Sequence, residues 1–366
     1  MDVFNYIDKY GDRSFSDFEF NDVDAGIFSF LSYVDFNGIV SNDKISLYDA
    51  AVKHKNTIDI NKKDAIAVKD ATKLLYYLMN KKRYSNCLLY NYVYVGDCKV
   101  QFSAICINYY KSEVFISYEG TDLMVSGWHE NLILCYEYPT LSHKMAIDYL
   151  NRNGRLLGDL VIGGHSKGGN LALVAAMNCN FFVKRKIKKI YSMDGPGLLP
   201  NVLKSLRYKS IKNKYLHIIP HNSYVGILLE SENDYIIKAN IDGLLAHDFL
   251  YWDISDSTFN SEKISKISLK LKNNINNYLF SLGSKQLRDV IYNFDYIFGK
   301  LDITSFSNFT KDKRRLFNLF KEVKRLDSES KKILIGLLNV IFNSIGGAAK
   351  EDFKEITNRF KDHFVG

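Results

Sequence analysis

The chain has 366 residues, with 49 Lys+Arg against 41 Asp+Glu, 46% hydrophobic residues, 14% aromatic residues, 4 Pro and 5 Cys. That is ample apolar chain for one large or two moderate domains, and it excludes disordered, collagen-like and disulfide-stapled classes. The net charge of +8 invites a nucleic-acid or anionic-lipid partner, but residues 261–366 hold 20 Lys+Arg and 12 Asp+Glu, while the first 260 residues hold 29 of each and are neutral.

The chain opens with acids at Asp2, Asp8 and Asp12 and has no apolar run there, unlike a secretory signal. The longest apolar run, 333–342, is broken by Asn339 and is shorter than the roughly 20 residues that span a bilayer. The cysteines (Cys87, Cys98, Cys106, Cys135, Cys179) are odd in number and lack CxxC spacing. The expectation is a soluble, cytoplasmic protein without structural disulfides.

In chain order, residues 1–85 read as helical. Asp22 or Asp24 is placed to cap the run from Ala25 to Leu31, and Asp64 precedes a helix bearing Ala67, Ala71, Leu74, Leu75 and Leu78. The period then changes to short β-branched and aromatic runs at 88–95, 100–108 and 114–118, separated by Gly96-Asp97 and by 111–113. This predicts an antiparallel meander. Helices at 144–153 and 170–178 then alternate with strands at 160–162, 187–193, 215–220 and 234–239, which implies a parallel sheet with helices on both faces. From 261 onward the pattern is helical, with one stripe of Leu316, Leu319, Phe320, Val323 and Leu326 and another of Leu334, Leu337, Leu338 and Ile341. The division expected is 1–260 as an α/β domain and 261–366 as a basic helical extension.

The segment from Leu160 to Ala172 contains G-x-S-x-G, with Ser166 between Gly164 and Gly168. An apolar strand runs in and an Ala/Leu-rich helix runs out, as a nucleophile elbow requires. Small residues let strand and helix pack closely, and Ser166 stands at the helix N-terminus, where the Lys167 N–H faces a developing oxyanion. His165 is expected to pack beside the strand. The triad base should follow the nucleophile and the acid. The candidates after Ser166 are His217, His221, His247 and His363; His217 lies inside a strand and His363 near the chain end, whereas His247 follows the last strand by a loop. His247 is therefore the candidate base. The usual strand end for the acid reads Pro220-His221-Asn222-Ser223, without a carboxylate, but one strand earlier Asp194 precedes Gly195-Pro196-Gly197. Asp194 is the candidate acid, ahead of Glu230, Asp234, Asp242 and Asp248. The second oxyanion donor should come from the loop after the third meander strand, where Gly120 permits a tight turn and Thr121 offers an N–H and a hydroxyl. Trp128 and Asn131 would anchor that loop.

Together these segments resemble an α/β-hydrolase family close to the class 3 lipases, and more narrowly an uncharacterised bacterial lipase-like family of the Mbeg type. The resemblance runs over nearly the whole chain, through Phe18 to Asp24, Leu31-Ser32-Tyr33, Glu119 to Trp128, Gly164 to Asn170, Asp194 to Gly197, Ile219 to Gly226, and His247 to Trp252. It departs from the class 3 lipases where Glu119 replaces an arginine and where Asn222 and Ser223 replace an aspartate. It implies an α/β-hydrolase fold, with a mostly parallel sheet and an antiparallel start, and ester hydrolysis on an acyl or lipid-like substrate.

Two further readings compete with a serine esterase. A hydrolase fold kept for binding or scaffolding is one, since fold does not fix function. A nucleic-acid binder is the other, and it fits poorly because twelve acids interleave the basic C-terminal helices and no recognised module occurs. No metal or cofactor is called for. The C-terminal charge reads either as a solvated helical face or as attraction to an anionic membrane.

Overall fold

The computed structural model describes residues 1–58, 66–96, 100–121, 133–155, 158–232, 234–301 and 313–332, with 334, 335 and 338. The expectations placed on Asp64, Asp97, Cys98, Leu337, Asn339 and Ile341 lie outside the described residues, as does the side chain of Leu316.

Eight strands form one sheet in chain order: β1 (Ile45–Ser46), β2 (Leu88–Gly96), β3 (Gln101–Tyr110), β4 (Glu113–Tyr118), β5 (Leu160–His165), β6 (Ile187–Met193), β7 (Tyr215–Pro220) and β8 (Asp234–Ile237). The first four pair antiparallel and β4 through β8 pair parallel. The parallel part begins where short turns give way to helical crossovers: α5 (Leu141–Asn153) leads into β5 and α6 (Lys167–Asn178) leads out of it. Side chains alternate between two cores. Phe115, Val161, Tyr191 and Met193 enter the face covered by α1 (Val3–Tyr10), α2 (Asp22–Leu31), α3 (Leu47–Thr57) and α4 (Ile66–Leu78). Val114, Ile116, Ile162 and Ile190 enter the opposite face, under α5 and α6. Burial on both faces explains why these strands read as continuous apolar runs.

Two helix starts differ from the sequence expectation. The cap of α2 is Asn21, whose side chain accepts from the N–H groups of Val23 and Asp24, while Asp24 reaches back to the Asn21 N–H. Asp24 also holds Arg83 through Oδ2···Nη2 at 2.5 Å, with both side chains fully buried, so its carboxylate ties the helix to the segment after α4. Helix α6 begins at Lys167 rather than Asn170, so the elbow has no spacer between strand and helix. In β8 the ladder stops at Ile237 rather than 239.

The described residues group into two compact units: Met1–Asp122 with Tyr138–Lys270, and Leu271 onward with the described part of Leu123–Glu137. The C-terminal segment is helical in α9 (Lys266–Ser281), α10 (Ser284–Lys300) and α11 (Lys313–Val323). Leu319, Phe320, Val323, Leu334 and Leu338 are buried. No helix among the described residues is long and apolar enough to cross a membrane.

Candidate active site

The register of the parallel strands puts their carboxyl ends in one row. Tyr118 of β4 pairs with Gly164 of β5, His165 with Met193 of β6, and Met193 with Ile218 of β7. Gly120, Ser166 and Asp194 each follow the row by one or two residues, so residues 74 apart in sequence between Gly120 and Asp194 converge through pairing alone. Ligand and catalytic sites of open α/β sheets lie at this edge.

Ser166 has φ +57° and ψ −133°, a strained conformation for a residue with a Cβ, worth about 1–3 kcal/mol. It is held by its N–H donating to the Met193 carbonyl at 2.8 Å and its carbonyl accepting from Gly169 N–H at 2.9 Å. Its side chain makes no cap to α6, which leaves the hydroxyl at the helix N-terminus, the positive end of the helix dipole. The elbow glycines are demanded by close approach. A Cβ on Gly168 would sit 2.0 Å from the Tyr118 carbonyl oxygen, and one on Gly164 would sit 2.4 Å from the backbone of Gly168.

Asp194 is the second non-glycine residue of this row with positive φ, at +50°, and its N–H donates to the Ile218 carbonyl at 2.8 Å. Its carboxylate is fully buried. Oδ2 accepts from His247 Nδ1 at 2.6 Å, and Oδ1 accepts from the Ser223 hydroxyl at 2.5 Å and from Gly226 N–H at 3.0 Å. The loop after β7, which carries no carboxylate, thus supplies donors to the carboxylate of the neighbouring strand. The bond at Nδ1 leaves His247 Nε2 as the free ring nitrogen. Two of the other candidate acids are engaged elsewhere. Asp234 binds His217, which also donates to the Gly195 carbonyl, and Asp242 accepts from Asn222. Burial, with the nearby Asp70 carboxylate adding to it, raises Asp248 to about 7.

His165 is not a bystander. Its ring centroid lies 4.4 Å from that of His247, and its Nε2–H donates to the His247 carbonyl at 2.7 Å. That bond fixes the tautomer, so Nδ1 accepts from the Tyr33 hydroxyl at 2.9 Å. Burial, reinforced by neighbouring His247, holds His165 well below the usual imidazole range and keeps it neutral. The tyrosine stands in the Leu31-Ser32-Tyr33 stretch, where nothing local announces its partner 132 residues away.

The Gly120 loop lies against the nucleophile. A Cβ on Gly120 would meet the Tyr33 hydroxyl at 2.1 Å, the His165 carbonyl at 2.4 Å and the Ser166 Cβ at 2.8 Å. The glycine is needed for this approach. Thr121 follows it and is buried, while Asp122, Trp128, Asn131 and His363 lie outside the described residues. The Lys167 ammonium donates to the Gln101 carbonyl at 2.6 Å. Asn170 donates to the Pro196 and Gly197 carbonyls at 3.1 and 2.7 Å and accepts from His143 Nε2 at 2.7 Å. This network, which sequence reasoning missed, braces the turn after Asp194. His143 is driven down to about 4 by burial, so it serves there as a neutral donor.

A mostly parallel sheet with an antiparallel start, helices on both faces and a strand–turn–helix elbow at Ser166 define an α/β-hydrolase fold. A family model described as Mbeg1-like matches residues 78–298, more than half of the chain, and the protein belongs to that lipase-like family. No curated protein matches the chain. The crystal structure of M37 lipase aligns over 55% of this chain and 67% of its own, at 14% identity and a TM-score of 0.33.

Proposed function

We propose that the protein is a serine hydrolase that cleaves carboxylic esters, with Ser166 as nucleophile, His247 as base and Asp194 as the acid that orients it. The observation that carries this reading is the 2.6 Å bond between His247 Nδ1 and the buried Asp194, beside an elbow whose serine side chain is not spent on capping its helix. In the reaction, Ser166 Oγ attacks the acyl carbonyl and its proton passes to His247 Nε2. The imidazolium is stabilised by Asp194. The N–H groups of Lys167 and Thr121 receive the oxyanion. Collapse expels the alcohol, protonated by His247, and leaves an acyl-enzyme that water attacks with His247 again as base.

Membership of a lipase-like family favours acyl or lipid-like esters as substrates. The four described cysteines are buried and none is bonded to another, and burial raises Cys106 and Cys135 to about 12 and Cys179 to about 11. Inert buried thiols fit a reducing, cytoplasmic setting.

The test is labelling with a fluorophosphonate probe. Wild type is expected to label, with labelling abolished in Ser166→Ala and reduced at least about a thousandfold in rate in His247→Ala. A folded wild type that neither labels nor hydrolyses p-nitrophenyl esters of short and long chain would leave a non-catalytic binding role instead.

A further inference from the structure

The opposite ends of the same strands carry an unrelated feature. Helix α7 (Phe181–Lys186) leads directly into β6, and α8 (Leu206–Lys209) lies shortly before β7. Each begins with apolar side chains in water: Phe181 and Phe182 are 65% and 75% exposed, and Leu206 is 81% exposed. The two phenylalanine rings meet edge-on at 5.8 Å instead of entering the core. The helices are fixed to one corner, because Arg207 Nη1 donates to Asn178 Oδ1 at 2.6 Å, two residues before Asn180, which caps α7.

Charge surrounds these side chains. Residues 181–214 contain ten Lys/Arg and one acid, Asp194, and Asp194 is buried at the other end of its strand. Lys188 and Lys189 are paired with Asp159 and Asp22, and the neighbouring Arg152 with Asp148. Glu232 and Asp234 stand near Tyr208 of α8. Arg185, Lys204, Arg207, Lys209 and Lys212 are exposed and lack a carboxylate partner among the described residues. The guanidinium of Arg185 rests 5.6 Å above the Phe181 ring.

We propose that α7 and α8 form a docking face for anionic lipid bilayers. Three apolar side chains enter the boundary between headgroups and acyl chains, while the flanking cations meet anionic headgroups. Nucleic acid would use the cations but would leave Phe181, Phe182 and Leu206 in water, whereas a bilayer surface uses both. Because the face is at the amino ends of the strands, docking tethers the protein without turning Ser166 toward the bilayer. The proposal is independent of the esterase reading.

The experiment is flotation of the full chain with phosphatidylcholine vesicles with and without phosphatidylglycerol. Wild type binds only the anionic vesicles and is released by salt. Neutralising Arg185→Gln, Lys204→Gln and Lys209→Gln together lowers partitioning about a hundredfold, at roughly fivefold per charge. Phe181→Ser with Phe182→Ser and Leu206→Ser lowers it at least about tenfold. Thermal unfolding and hydrolysis of a soluble ester are unchanged in both triple variants. Equal binding to neutral vesicles, retention in both triple variants, or no binding by wild type overturns the proposal. So does loss of binding only in Arg314→Gln with Arg315→Gln on α11, or binding of duplex DNA in place of vesicles. A wild type that binds anionic vesicles but hydrolyses no ester refutes the esterase reading and leaves this one standing.

Discussion

The two ends of the parallel strands are built on different physical terms. At the carboxyl ends, Ser166 and Asp194 hold positive φ, the Asp194 carboxylate is dry, and each of its oxygens is hydrogen-bonded. At the amino ends, Phe182 and Leu206 face solvent and the cations of α8 have no carboxylate partners among the described residues. Strained backbone and buried charge persist only where surrounding bonds over-determine them. The first region therefore tolerates little change, and the second tolerates substitution at small cost to the fold.

The sharpest way to break this contrast is at Asp194. Asp194→Asn keeps the side-chain volume but puts an amide where His247 Nδ1–H needs an acceptor, which favours the wrong tautomer. A fall of about 10⁴ in kcat is expected, measured on p-nitrophenyl esters, with a folded protein by circular dichroism. Near-normal kcat would remove Asp194 from the proposed triad. Phe182→Ser, at the other end, should leave kcat unchanged.

Much of this arrangement is legible in the sequence because it depends on local spacing. Gly164, Ser166 and Gly168 lie within one turn, and the alternation of apolar strands with helices places that turn at a sheet edge. His247 and Asp194 follow from chain order and strand ends. What is not legible depends on register or on distant partners. Ser223 reaches Asp194 only because β6 and β7 are neighbours, and Tyr33 reaches His165 only because α2 packs under β5. The basic face escapes a charge count for another reason: over the first 260 residues, acids elsewhere cancel it.

A smaller effect is expected one layer out, at His165. This residue touches no substrate atom in the proposed reaction. It acts through the His247 carbonyl and ring, and is itself held by Tyr33. Tyr33→Phe removes the hydroxyl that fixes the ring, and His165→Asn removes the ring itself. A loss of roughly tenfold in kcat for the first, and up to about a hundredfold for the second, follows if His247 moves by as much as about 1 Å. KM should stay constant, since uniform binding is untouched. If KM rises while kcat holds, His165 shapes the substrate site rather than the base.

The smallest effect separates the two ends by pH. Asp248, next to His247, is raised to about 7 by burial and by the Asp70 carboxylate, which itself binds Lys73 at 2.7 Å. Its folded-state pKa exceeds the unfolded value of about 3.9, so the folded protein holds this proton more tightly. The stability it contributes is fully present below the unfolded pKa and is lost as pH rises through about 7. Asp248→Asn stays neutral and should escape that loss. Its Tm should approach that of wild type near pH 4 and exceed it by about 2–4 °C at pH 8.5. Phe182→Ser, far from any shifted carboxyl, should track wild type across the same range. Parallel curves for Asp248→Asn and wild type would mean that water reaches this carboxyl pair and relieves it, and that the dry character of the carboxyl end stops at Asp194.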